Sequence, residues 1–275
     1  MRHKGWYVAW LLFWSGLSPA GELTLAVEPF LTPRSLVAAF QPLRDSLSEQ
    51  INQPVVLVTA KNYEEYLNRL LRGEFDLAIV GPHSGLMVVE RAGYIPLLRA
   101  AGGLKAVLLV RRDASIQTPR DLVGQTVSFP HAMTITAMLG QELLEQAGLE
   151  DVRDLTLRYN EFQNTAAMML LRKEVAAALV SDLALLPMSD EIKQGVRVLA
   201  SSKQVPPMVL LANKQLDVET RTRIGQAVIH FEMQEAGRDH FLSRIGINFN
   251  HPFTDQDRKA LLPYVEKLER QREQR

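Results

Sequence analysis

Between Leu23 and Gly93 three short apolar runs alternate with three segments of helical periodicity, and this alternation is the tightest constraint on the fold. The runs at Leu23–Val27, 55–59 and 75–80 are short and apolar, as strands buried on both faces are. Thr32 followed by Pro33 marks a helix start, an N-cap with proline in the first turn, and the helix is expected to reach about Gln50. A second helix is expected over Tyr63–Leu71, stopped by Gly73, and a third opens at Gly81-Pro82 and ends near Gly93. An order of β-α-β-α-β-α implies crossover connections, hence parallel strands with helices on both faces.

A second set follows. Strands are expected at 105–111, 125–129, 155–159 and 175–180, and a short capped helix at Thr118-Pro119-Arg120-Asp121-Leu122. Helices are expected over 134–147 and up to Arg172. After the apolar stretch 196–200, the polar, proline-bearing segment 201–207 leads to a strand at 208–212 that can return to the first set. Helices over 217–237 and 255–269 close the chain, and the charged tail 267–275 is expected to be a solvated, fraying helix end. Two α/β sets with crossings near 106–111 and 204–209 describe a two-lobed α/β protein. Each lobe is a mostly parallel sheet flanked by helices, and a two-strand hinge permits closure around a ligand. The expected division is residues 21–107 plus 208–275 for lobe 1 and 108–207 for lobe 2.

The first twenty residues stand apart. Arg2 and Lys4 precede an apolar stretch from Trp6 to Leu17, and Ser18-Pro19-Ala20 supplies a small-x-small cleavage pattern. This is the pattern of a secretory signal peptide cut after Ala20, with a retained N-terminal anchor as the alternative, and the apolar run is short of the roughly 20 residues a membrane span needs. With no cysteine there is no disulfide framework and no thiol for lipid attachment, so the mature chain is held by its core. Cleavage takes the balance from 31 basic against 31 acidic residues to 29 against 31. Such neutrality argues against a broad nucleic-acid or anionic-membrane surface.

Three stretches carry a family resemblance: "KNYEEYLNRLLRGEFDLAIVGP", "DLVGQTVSFPHAMTITAMLG" and "LLRKEVAAALVSD". They resemble the PhnD-like phosphate, phosphite and phosphonate-binding proteins of ABC transporters, within the type 2 periplasmic binding protein fold. The resemblance covers nearly all of the mature chain. It implies a site between the lobes, where hydroxyls and amides of a D-P-x-S-T-S-G loop at a helix start hold the ligand's oxyanion. That loop reads Phe129-Pro130-His131-Ala132-Met133-Thr134-Ile135-Thr136 here, so Thr134 matches and Met133 replaces a serine. The family's histidine in the next helix falls on Gln163, followed by Asn164 where an acid is usual, and the aromatic after the Gly-Pro turn falls on Gly85. These departures imply a specificity altered from the phosphonate type. The resemblance also implies an ABC transporter permease as partner and a periplasmic location.

The residues themselves point to an anion. Helix starts present unpaired N–H groups and a partial positive charge, and four of them follow strands: Thr32-Pro33, His83-Ser84, Met133-Thr134 and Gln163-Asn164. Thr134 and Thr136 can donate hydroxyl hydrogen bonds to an oxyanion, and Thr134 equally serves as an N-cap. Arg34, in a helix's first turn where a cation opposes the dipole, is either an anion contact or an exposed arginine. His83 and Ser84 can face the ligand, Ser84 also reading as a cap; protonation of His83 would add charge below roughly pH 6.5. Tyr63 matches the family's tyrosine and can close over the ligand or pack half-buried. Gln163 and Asn164 form a neutral amide pair suited to a less charged ligand. Asp182 can accept from an ammonium or hydroxyl, or simply cap.

No cofactor, metal or catalytic residue is expected. The chain lacks a G-x-S-x-G elbow, an H-E-x-x-H pair and a phosphate-binding loop, which argues against an enzyme. His83 and His131 without a carboxylate cluster make a poor metal site, and Met133, Met168 and Met169 sit among leucines as core residues do. The expected function is a monomeric binder of a small anion that serves an ABC transporter. A periplasmic subunit reporting to a membrane sensor kinase is one alternative, and an enzyme on the same fold is the other.

Overall fold

A computed structural model describes residues 21–149, 154–235, 237 and 245–274. The expected signal peptide, residues 1–20, lies outside the described residues, as does much of the segment after Met233. The first β/α set forms as read: β1 (Leu23–Val27), α1 (Pro33–Ile51), β2 (Val55–Val58), α2 (Tyr63–Leu71), β3 (Leu77–Val80) and α3 (Pro82–Ala92). β1 pairs parallel with β2 on one side and β3 on the other. In α1, Leu36, Phe40, Leu43, Leu47 and Ile51 recur at three- and four-residue intervals and are all buried. Each such side chain taken out of water stabilises the fold by about 1.5–3 kcal/mol. The start of α2 is held by Asn62, whose side chain accepts from Glu65 N–H at 2.8 Å.

Two strands escaped the sequence reading. β4 (Ile95–Ala100) follows α3 directly, and β11 (Phe249–His251) comes late in the chain. They complete a six-stranded sheet in the order β11-β4-β10-β3-β1-β2, in which β10 (Val209–Ala212) runs antiparallel between β3 and β4. Pro96 lies inside β4, and a proline removes a ladder donor and obscures a strand in sequence.

The second sheet has the order β7-β6-β8-β5-β9, from β5 (Ala106–Arg111), β6 (Thr126–Pro130), β7 (Thr156–Asn160), β8 (Ala177–Ser181) and β9 (Val196–Ser201). Its parallel half, β7-β6-β8, carries α4 (Ile135–Gln146) and α5 (Gln163–Leu171), while β5 and β9 are antiparallel additions. Two short helices, α6 (Asp182–Leu185) and α7 (Asp190–Gly195), link β8 to β9. The chain passes between sheets twice, through 101–105 and 202–208, and Leu104 and Val205 exchange backbone hydrogen bonds there. β5 therefore belongs to the second sheet from Ala106, and the division expected after residue 107 falls inside it.

After α8 (Val218–Met233), the final helix α9 runs over Asp255–Glu273. The tail is a docked helix, not a fraying end: Leu268 is fully buried, Glu269 pairs with Arg91 of α3 at 2.7 Å, and Arg272 donates to Asn68 of α2 at 2.9 Å. Apolar residues interspersed among the charges give α9 a face to bury, which a count of charges hides.

Candidate functional site

The carboxyl ends of β1, β3, β6 and β7 lead into α1, α3, α4 and α5. In open α/β sheets ligands bind at these strand ends. Here the loops of the two sheets touch directly. Gln163 N–H donates to Phe30 C=O at 3.1 Å, and the Asn164 amide donates to Thr32 Oγ1 at 3.2 Å. His83 Nε2 meets Met133 C=O at 2.9 Å, and the Tyr63 ring stacks on the His131 ring with centroids 5.4 Å apart. Thr32, Tyr63, His83 and Ser84 of the first half are thus brought against Met133, Thr134, Gln163 and Asn164 of the second. The arrangement is closed, and no lysine or arginine takes part in these contacts.

The hydroxyls of Thr134, Tyr63, Ser84 and Thr32 already donate within the protein. Thr134 Oγ1 donates to His131 C=O at 2.8 Å and accepts from Ala137 N–H at 3.2 Å, so its proton is taken by the His131 carbonyl while its oxygen caps α4. Tyr63 donates to Ser84 Oγ at 2.9 Å, and Ser84 Oγ lies 3.3 Å from Gly81 C=O. Thr136 is buried in the first turn of α4. Thr32 turns its hydroxyl to Ser35 at 3.0 Å.

What the cleft leaves open are acceptors. A carbonyl oxygen only accepts, so His83 Nε2 carries the ring proton toward Met133 and Nδ1 holds a lone pair. Nδ1 is buried with no partner among the described residues, as is Asn164 Oδ1. Burial pushes the His83 pKa down to about 4, outweighing the Met133 carbonyl, so the expected charge below pH 6.5 does not develop. Gln163 is buried and its Oε1 accepts from Ser181 N–H, which ties it to the end of β8.

Arg34 and Asp182 do not join the cleft. Arg34 is exposed at the start of α1, in a surface groove of about 590 Å³ between α1 and Leu186, Asp190 and Lys193 of the second half. Asp182 accepts from Lys105 N–H at 3.1 Å and Leu183 N–H at 2.9 Å, so it braces an inter-sheet passage. Its pKa is raised, burial outweighing those donors.

Glu28 was missed. It follows β1 at the same strand-end level and is buried, and its Oε2 accepts from Gly81 N–H at 2.6 Å. The N-terminus of α3 therefore already holds the protein's own carboxyl. Burial raises the Glu28 pKa to about 7, only partly offset by the Gly81 donor. An acid directly after an apolar strand was the available signal. Gly85 is explained as well: a Cβ there would lie 2.5 Å from Val209 Cγ2, so α3 packs too tightly on β10 for an aromatic.

With this geometry in view, known proteins place the chain. The model of the family described as the periplasmic substrate-binding protein of phosphonate ABC transporters matches residues 25–257. The chain belongs to this family. PhnD1 from Prochlorococcus marinus, solved with methylphosphonate, superposes with a TM-score of 0.79 at 13% identity, covering 90% of this chain and 98% of PhnD1. A binding-protein component of an ABC phosphonate transporter from Pseudomonas aeruginosa gives 0.75 at 17% identity, over 90% and 85% of the two chains. At these identities the likeness is one of fold: two sheets with flanking helices. The tetrathionate sensor histidine kinase TtrS of Salmonella typhimurium is 27% identical over 188 residues, which is 65% of this chain and 31% of the kinase. Members of the family are periplasmic substrate-binding proteins, and no helix among the described residues is long and apolar enough to cross a membrane.

Proposed function

We propose that this chain is a monomeric periplasmic receptor whose two lobes, exchanging through 101–105 and 202–208, close on a small oxyanion of the phosphonate class and present it to an ABC transporter. Residues 1–20 act as a signal peptide cut after Ala20, and binding occurs without turnover. The observation that carries this reading is the cleft itself, where direct contacts between the halves surround His83 Nδ1 and Asn164 Oδ1, two buried polar atoms without partners among the described residues. A buried polar group without a partner costs about 1–3 kcal/mol, which a ligand can recover.

In this reading the oxyanion lies against first-turn amides of α4 and α5, because the side-chain hydroxyls of Thr134, Tyr63 and Ser84 donate within the protein. The two free acceptors favour an anion that also brings a donor, such as a singly protonated phosphonate or one with a hydroxyl or amine. Tyr63 and His131 close the entrance by stacking, and Thr32, Gln163 and Asn164 latch the halves. Arg34 and Asp182 are left out of the proposed site.

The test is a thermal-shift screen against methylphosphonate, phosphite, phosphate, sulfate and tetrathionate. A ligand at 100 times its Kd adds about 2.7 kcal/mol. A rise with a phosphonate or phosphite that is lost in His83→Ala and Asn164→Ala supports the reading, and no rise with any anion sinks it. The likeness to the tetrathionate sensor kinase favours a second reading, a subunit that reports its loaded state to a membrane kinase. A rise with tetrathionate alone selects that one.

A further inference from the structure

We infer that Glu28 is a specificity-determining residue of the cleft that meets an anionic ligand as a neutral carboxylic acid, so that each anion bound in the closed state takes up one proton. The inference rests on the proposed oxyanion site and adds its regulation by pH. It starts from placement. The carboxyl is buried at the end of β1, against the first turn of α3 that carries His83 and Ser84. A Cβ on Gly81 would lie 3.1 and 3.3 Å from its two oxygens and 3.5 Å from Ser84 Oγ, so carboxyl and serine share one corner.

Its single hydrogen bond comes from a neutral amide, and no ion pair reaches it among the described residues. An ionised carboxylate with that little compensation is strongly disfavoured when buried. Among the described residues no lysine or arginine pairs with the Glu28 carboxyl. α2 contributes Tyr63 and Tyr66, hydrogen-bonded to Ser84 and to Ile79 C=O; α3 contributes neutral His83; His131 before α4 stacks on Tyr63. Arg272 of α9 is felt by Tyr63, whereas Glu28 itself is shifted by burial and Gly81 alone. An anion arriving beside this corner raises the cost of ionisation further. The acid proton also offers a donor in a cleft where the hydroxyls of Thr134, Tyr63 and Ser84 donate within the protein.

Isothermal titration with methylphosphonate at pH 8, in two buffers of different ionisation enthalpy, counts the protons taken up. The phosphonate's own titration cancels when wild type is compared with Glu28→Gln, which keeps the shape and cannot ionise. Wild type is expected to take up about one proton more than Glu28→Gln and to lose affinity about tenfold per pH unit above 7, while the variant loses less. Equal uptake by the two, with binding intact, overturns the inference and leaves the binding reading standing. Failure of the folded wild type to bind methylphosphonate anywhere between pH 5.5 and 8.5 removes both. Should Glu28→Gln not fold, the carbon-13 signal of the Glu28 carboxyl in the loaded wild type decides. Titration near or above pH 7 supports the proposal, and titration near the ordinary 4.5 overturns it.

Discussion

Replacing Gly85 with alanine adds one methyl group where α3 packs against Val209 and Val80 of the first sheet. The new Cβ would sit 2.5 Å from Val209 Cγ2 and 3.2 Å from Val80 Cγ1. Carbon atoms pack best at about 3.5–4.0 Å, so the nearer contact overlaps by about 1 Å. Val209 and Val80 are buried strand residues with stiff, β-branched side chains, so neither can swing aside. Overpacking of this kind costs about 1–3 kcal/mol, and the upper half of that range fits a 2.5 Å contact. Alanine recovers about 1 kcal/mol through helix propensity. The net loss is then about 1–2 kcal/mol, read as a Tm roughly 3–6 °C lower. Because His83 and Ser84 precede Gly85 in the same helix, the displacement also weakens ligand binding. Val209→Ala in the Gly85→Ala background removes the offending methyls, and a double-mutant cycle followed by thermal and urea unfolding should give a favourable coupling of at least about 1 kcal/mol. A single variant that melts at or above the parent refutes the reasoning. So does a double variant whose loss equals the sum of the two single losses.

Three further outcomes are expected. The folded Glu28 pKa of about 7 lies above the ordinary 4.5, so its contribution to stability is fully present below pH 4.5 and lost as pH rises through 7. Urea unfolding at pH 4.5 and 8 should therefore show Glu28→Gln gaining on the order of 3 kcal/mol over wild type, whereas a pH-independent difference contradicts it; the opposite drift from His83 is common to both proteins and cancels. Thr134→Val removes the α4 cap and should cost about 1 kcal/mol in chemical denaturation, while Thr134→Ser keeps most of it. Asp257 pairs with Arg99 at 3.0 Å, both nearly buried, and accepts from Thr254 N–H at 2.8 Å at the start of α9. Asp257→Ala should cost about 3 kcal/mol or more, chiefly by stranding the arginine, and a loss under 1 kcal/mol would show that pair to be dispensable.

Much of the β/α order was legible because its signals are local. The α2 boundaries emerged residue for residue, since Asn62 caps the start, Gly73 takes a positive φ just past the end, and the apolar period between them is unbroken. β4 and β11 were illegible for the converse reason. One holds a proline and the other has three residues, and both exist by pairing with strands far along the chain. The apolar positions of α9 were likewise overshadowed by its charges until α3 was seen to cover them.

The site divides in the same way. By itself the sequence determined which helix starts follow strands, and so which short segments of Thr32, His83, Thr134 and Gln163 could line a cleft, because caps and strand ends depend on a few neighbouring residues. Only the tertiary structure decided what those residues do there. It left Arg34 exposed in a groove facing Leu186, Asp190 and Lys193, made His83 a neutral acceptor and buried Glu28 at the start of α3. Those outcomes depend on desolvation and on partners about 50 residues away, His83 with Met133 and Glu28 with Gly81, quantities that a local pattern does not contain.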